Sequence, residues 1–253
     1  MNTIDTSAII FSDFRLGNNC IIIHNMKKAA FLDVDGTIFR SSLFIELIEA
    51  MIAAGVFPDK AKNGYQREYK QWLDRKGSYE AYLGAMVKVF MANIKGVPFA
   101  DFKRLSDEVA EKNMNKVYRY TRDLVKSLKK RGYFLVAISQ SPKGILDSFC
   151  KKMGFDKIYG RFYELGPSDQ FTGEVSDVHL ISNKANIVKR AINKEGLTLR
   201  DSYAVGDTES DISMLEMVEN PICFNPNAAL YRIAKINKWK VVVERKDVVY
   251  EIQ

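Results

Sequence analysis

Cysteine, histidine and long apolar runs are all scarce in this chain, and each shortage excludes something. Three cysteines, Cys20, Cys150 and Cys223, stand among 253 residues. They are odd in number and too widely spaced for a disulfide framework or a zinc motif, and packed or idle thiols suit a reducing compartment. The two histidines, His24 and His179, enter no candidate site, and His179, ahead of an apolar pair, reads as structural. No window of eighteen or more apolar residues occurs, so no membrane-spanning helix is expected. Residues 1–25 lack a basic start and hold only short apolar stretches, Ile9–Phe11 and Ile21–Ile23, which excludes a secretory signal and favours a cytoplasmic protein. This extension reads as a hairpin, an arm or a misassigned start, with Met26 as the alternative first residue. No repeat or low-complexity segment is visible.

What is there is enough apolar material, 47% of the residues, for one large domain or a domain with a smaller insert. The net charge of +7 comes from 38 basic and 31 acidic residues interleaved along helices. That pattern reads as a solvated basic exterior, not a nucleic-acid surface, and a mild positive field also suits an anionic phosphate ester.

The chain is organised around FLDVDGTIF, Phe31–Phe39. An apolar run, Ala29–Leu32, leads into Asp33 and Asp35, then Gly36 and Thr37. Such a run bounded by a turn signal reads as a buried strand, which puts both acids past its carboxyl end, where open α/β sheets bind ligands. After Arg40 the periodicity becomes helical for about eighty residues. Ser41 or Ser42 is the expected cap of a helix carrying Phe44, Leu47, Ile48, Met51 and Ile52. Phe57-Pro58-Asp59 ends it, a more polar helix runs to about Arg75, and a third carries Tyr79, Tyr82, Met86 and Phe90. A fourth begins near Phe99 and extends to Arg131 with a break near Thr121, closed by Lys129, Lys130, Arg131 and a left-handed Gly132. The aromatic and methionine positions in this stretch read as the core of a helical bundle.

From Tyr133 strands and helices alternate, which implies parallel strands joined by crossover helices. Three polar clusters follow apolar runs or open helices here. Ser139 and Gln140 close the run Tyr133–Ile138, with Ser141 as the cap and Pro142 as the first residue of the next helix. Lys184 lies in the opening turn of SNKANIVKRAI. Gly206-Asp207-Thr208-Glu209-Ser210-Asp211 follows the strand-like Ser202–Val205, and a helix is expected over Glu209–Val218.

In this order the set DxDGT, strand-end Ser, Lys and GDxxxD resembles the haloacid dehalogenase superfamily of phosphohydrolases. The likeness extends from Met26 to about Trp239, and its spacing is most similar to the branch containing phosphoserine phosphatases, including Phe171-Thr172-Gly173-Glu174 in a hairpin. It implies an α/β fold: a Rossmann-like parallel sheet from residues 26–40 and 121–253, with an inserted all-helical cap over residues 41–120. It implies a Mg²⁺-dependent phosphatase of a small phosphorylated metabolite, with Asp33 as nucleophile forming an aspartyl phosphate and Asp35 as acid and base. Asp33 and Asp207 would bind Mg²⁺ by carboxylate and Asp35 by its main-chain carbonyl. Asp211 would support the metal shell, and Lys184 would sit between Asp33 and the phosphate. Gly36, Thr37, Ser139 and Gln140 would contact the phosphoryl group.

Four converging carboxylates need such a cation, since each like-charge pair costs on the order of 4 kcal/mol at about 4 Å and an effective dielectric near 20. Two departures from phosphoserine phosphatases stand out: Ser42 where they carry a substrate-holding Glu, and Gln140-Ser141 where they carry Gly-Gly. These favour a different small phosphomonoester. A phosphotransferase or phosphomutase of the same fold, or a noncatalytic basic binding module, are the other readings.

Overall fold

The strand expected ahead of the two acids is β1, Lys27–Asp33, in a computed structural model that describes residues 26–176 and 183–252. The other strands are β2 (Phe134–Pro142), β3 (Lys157–Leu165), β4 (Phe171–Ser176), β5 (Leu197–Gly206), β6 (Asn220–Phe224), β7 (Lys240–Arg245) and β8 (Val248–Ile252). They form one sheet in the order β4-β3-β2-β1-β5-β6-β7-β8, parallel except for the antiparallel pairs β3–β4 and β7–β8 at its two edges. Connections run outward from β1 in both directions, so the strand order reverses there. In a sheet of this kind, that reversal opens a crevice at the carboxyl ends of the central strands.

Alternation along β1 splits the core into two layers, as period-two side-chain geometry requires. Ala30 and Leu32 pack with the helices of one face, while Ala29 and Phe31 pack with those of the other. The first face is covered by α1 (Leu43–Ala53), α3 (Tyr79–Asn93), α4 (Phe99–Asn113), α5 (Arg119–Lys130) and α6 (Lys143–Cys150), with α2 (Gln66–Leu73) packed on α3. The second is covered by α7 (Lys184–Glu195), α8 (Ile212–Leu215) and α9 (Ala228–Asn237). The α/β sheet with a helical insert is therefore as the residue pattern implied. Cys150 and Cys223 are buried single thiols in this core, while Cys20, His24, His179 and the whole extension lie outside the described residues.

Several boundaries differ from the sequence reading for identifiable reasons. The break before α5 falls at residues 114–118, not at Thr121. There the Tyr118 N–H donates to the Ile38 carbonyl and the Arg40 N–H to that of Lys116, so the chain leaves the helix to pair with the turn after β1. The start of α5 is capped from a distance, by Glu244 accepting from the N–H groups of Arg119 and Tyr120 at 3.0 and 2.8 Å. Ser42 holds the cap position of α1 but its side chain makes no cap bond; the Asp35 carboxylate accepts from the Leu43 N–H instead, at 2.6 Å. Pro142 still belongs to β2, paired with Arg161, and α6 begins one residue later. The expected helix over Glu209–Val218 is shorter, a 3-10 turn over Glu209–Asp211 followed by α8. Gly132 does take the left-handed conformation, at φ +79°.

Candidate active site

Sheet register brings the separated motifs to one rim. Asp33, the last residue of β1, is level with Ile138 of β2, and Leu32 is level with Val205 of β5. Ser139 and Gly206 therefore flank Asp33 on either side. Asp33 lies on the side of β1 covered by α7, whose first residue is Lys184 and whose N-terminus is capped by Asn183.

The buried ammonium of Lys184 donates to Asp33 Oδ1 and Asp211 Oδ1, both at 2.5 Å. Asp211 spends its other oxygen on the N–H groups of Asp207 and Thr208, at 3.0 and 3.1 Å. It is thus a brace, fully occupied by protein donors and packed so tightly on Gly206 that a Cβ there would lie 2.3 Å from its Cγ. Asp207 is held by the Thr37 hydroxyl at 3.3 Å. Thr37, expected at the phosphoryl group, is buried and turned to this carboxylate, and its own carbonyl accepts from Thr121.

Carboxylate oxygens of Asp33, Asp207 and Asp211 lie within 4.8 Å of one another. Burial, opposed by Lys184 and reinforced by Asp211 and Asp35, lifts the Asp33 carboxyl to about 7. Burial and the charges of Asp33 and Asp211 likewise push Asp207 well above the usual carboxylate range. Burial alone would lower Lys184, but Asp211 and Asp33 outweigh it and hold the ammonium charged. The acids are crowded beyond what one lysine neutralises.

A divalent cation fits this set. Asp33 Oδ2 is buried without a hydrogen-bond partner among the described residues, and the donors are all oxygen, the preference of hard cations. The space beside Asp207 depends on Gly36, at φ +85°, where a Cβ would lie 2.1 Å from Asp207 Oδ2. Gly36→Ala combines a left-handed backbone with that collision. It is expected to destabilise the protein by on the order of 1–3 kcal/mol and to weaken Mg²⁺ binding, checked by thermal melts with and without Mg²⁺.

Asp35 stands apart from this acidic group. One of its oxygens accepts from the hydroxyls of Ser139 and Ser141, at 2.6 and 2.7 Å, and the other from Leu43 N–H. Gln140 is exposed and takes a 3.2 Å bond from Arg161. Asp33, Asp35, Asp207, Gly36, Ser139, Gln140 and Lys184 line one cleft of about 600 Å³ together with Trp72, Tyr79 and Leu83 of the insert.

Ser141, Arg161 and these aromatic residues were not foreseen as site residues. Ser141 had a local signal, a second hydroxyl beside Ser139, that was read as a cap. Arg161 had none, since β3 reaches the cleft only through its pairing with β2.

Comparison with known proteins shows the family and the fold. The family model described as haloacid dehalogenase-like hydrolase matches residues 30–216. Phosphoserine phosphatase SerB1 of Mycobacterium tuberculosis is 25% identical over 221 residues, covering 86% of this chain and 71% of its own. Histidinol-phosphatase of Neisseria meningitidis is 25% identical over 223 residues, covering 86% and 99%. The inhibition of morphological differentiation protein of Streptomyces azureus is 24% identical over 225 residues, covering 85% and 78%. Among solved structures, a protein of unknown function from Bordetella pertussis Tohama I superposes with a TM-score of 0.66 at 18% identity, covering 85% of this chain and 98% of that one. A phospho-aspartyl intermediate analogue of phosphoserine phosphatase superposes with a TM-score of 0.56 at 24% identity, covering 88% and 95%. These structural likenesses show a shared fold.

Proposed function

We infer the reaction from one premise, that this chain belongs to the haloacid dehalogenase-like hydrolases, and read it as a phosphatase that takes the phosphoryl group of a small phosphorylated metabolite onto Asp33. One observation carries the reading. Lys184 fixes Asp33 Oδ1 while Asp33 Oδ2 remains buried and unpartnered among the described residues, on a residue that lines the cleft.

Asp33 attacks phosphorus, forming an aspartyl phosphate and releasing the alcohol, whose oxygen is protonated by Asp35. Asp35 then takes a proton from the water that attacks the intermediate. The bonds holding Asp35 to Leu43, Ser139 and Ser141 aim it beside Asp33, and the two hydroxyls would turn from Asp35 to donate to the phosphoryl oxygens when an ester binds. The carboxylates of Asp33 and Asp207 and the main-chain carbonyl of Asp35 would hold Mg²⁺, which when bound would supply positive charge against the phosphate dianion. Lys184 screens Asp33, and Asp211 fixes both the ammonium and the Asp207 loop. Residues 41–120 act as the cap that selects the substrate. Ser42 at the position where phosphoserine phosphatases hold their substrate with Glu favours an ester other than phosphoserine.

The test is phosphate release from p-nitrophenyl phosphate with Mg²⁺, after EDTA, and after Mg²⁺ is restored. Activity is expected to vanish and return, with no phosphorylated product when an alcohol acceptor is added. Release that survives complete chelation contradicts the reading, and transfer to the alcohol makes the protein a phosphotransferase.

A further inference from the structure

Helix α3 carries two apolar faces. Tyr82, Ala85, Met86, Val89 and Phe90 are buried in the core of the insert, which is the one stripe an amphipathic helix needs in order to pack. Tyr79, Leu83 and Val87 recur at intervals of four on a second face, are only partly buried, and line the catalytic cleft. Packing the insert does not require this second face, and it leaves apolar surface in contact with water that a ligand can cover.

The neighbouring wall has the same character. Phe44 of α1, Trp72 of α2 and Tyr163 of β3 line the same cleft, and Trp72 packs on Tyr79 with ring centroids 5.4 Å apart. Among the described residues, Glu80 is the one charged side chain that residues 41–120 contribute to the cleft, and it is exposed. The other charges outside the acidic group belong to the rest of the molecule. Arg40 is exposed beside the Tyr118 ring, Glu209 accepts from Asn227, and Arg161 donates to Gln140 at 3.2 Å.

The second face begins at the chemistry. Burial and the charge of Asp35, followed by those of Tyr82 and Asp207, raise the Tyr79 phenol above its ordinary value, in keeping with a ring beside the acid that protonates the leaving oxygen. From Tyr79 to Val87 the helix rises about 12 Å at 1.5 Å per residue, toward Phe90, whose ring centroid is 4.9 Å from that of Tyr163 on β3. Because this face lines the cleft in which the phosphoryl group is transferred, what covers it is the alcohol portion of the ester. We propose that Tyr79, Leu83 and Val87 form the leaving-group site, so that the preferred ester is the phosphate of an uncharged, apolar alcohol laid along α3. The proposal rests on the phosphatase reading above and names the substrate class of that site.

The test follows hydrolysis of ethyl, butyl and hexyl phosphate with Mg²⁺. Each methylene that the face covers adds on the order of threefold to kcat/KM, so hexyl phosphate is expected to exceed ethyl phosphate by at least about fiftyfold, and to exceed phosphoserine as well. Leu83→Asn and Val87→Asn are each expected to bring the hexyl-to-ethyl ratio below about tenfold, whereas Leu83→Met keeps most of it. Hexylphosphonate, which cannot be hydrolysed, should bind the wild type at least about tenfold tighter than ethylphosphonate by calorimetry, and Leu83→Asn should lose that margin. Hydrolysis of p-nitrophenyl phosphate with a flat alkyl series, or with phosphoserine preferred over hexyl phosphate, overturns the apolar site and leaves the phosphatase reading intact. A rising series that neither asparagine variant flattens overturns its placement on α3. Failure to hydrolyse any ester overturns the phosphatase reading, and the phosphonate titration then decides the site by itself: tighter binding of hexylphosphonate that is lost in Leu83→Asn upholds it, and equal binding of the two phosphonates ends it.

Discussion

Asp33→Asn is expected to lower kcat by at least about a thousandfold, on the order of 4 kcal/mol of transition-state stabilisation, on every substrate the protein hydrolyses. The amide has nearly the shape of the carboxylate and can still accept from Lys184, but it is no nucleophile. The same change removes one charge from a group in which burial already lifts Asp33 to about 7 and pushes Asp207 up beside it. Without metal the variant should therefore melt at or above the wild-type temperature. A large loss of rate at undiminished stability marks a chemical role. Thermal melts in EDTA and steady-state rates in Mg²⁺ check both halves, and a variant that is inactive because it is unfolded does not count as support.

Lys184→Met should fail in a different way. It leaves Asp33 and Asp211 facing each other, buried, without the ammonium that bonds each at 2.5 Å. Removing one partner of a buried charge network costs about 3–5 kcal/mol, and the rate should fall at least a hundredfold because nothing then screens Asp33 from the incoming phosphate. The two effects can be separated. Adding Asp211→Asn to Lys184→Met removes the stranded charge, so it should recover much of the stability and none of the rate. A double variant that regains activity would place Lys184 among the purely structural groups.

How much of this was visible in the chain depends on the range of the interaction that decides each feature. The path into Asp33 was legible because a fully buried parallel strand must be apolar throughout, and Ala29–Leu32 is. Lys184 and Asp207 were legible because one opens a helix and the other follows a strand, and Ser139 because it follows the apolar run that pairs with β1, and sheet topology carries these positions to the same rim. The end of α5 was legible too, since Lys129, Lys130 and Gly132 act locally.

What could not be read was set by partners remote in sequence. The break at residues 114–118 depends on Ile38, the cap of α5 on Glu244, and the cap of α1 on Asp35. The resemblance puts Thr37 at the phosphoryl group, and only the position of Asp207 explains why it turns inward. Tyr65, Tyr69 and Trp72 recur at helical spacing, which a core face and a cleft wall share. Only the placement of α2 against α3 distinguishes them.

The account stands or falls on a covalent bond to Asp33. Acid quenching during turnover of a ³²P-labelled ester should leave hydroxylamine-labile label on the protein, and peptide mapping should place it on Asp33. Steady hydrolysis with no trapped label, or with label on any other side chain, would contradict it.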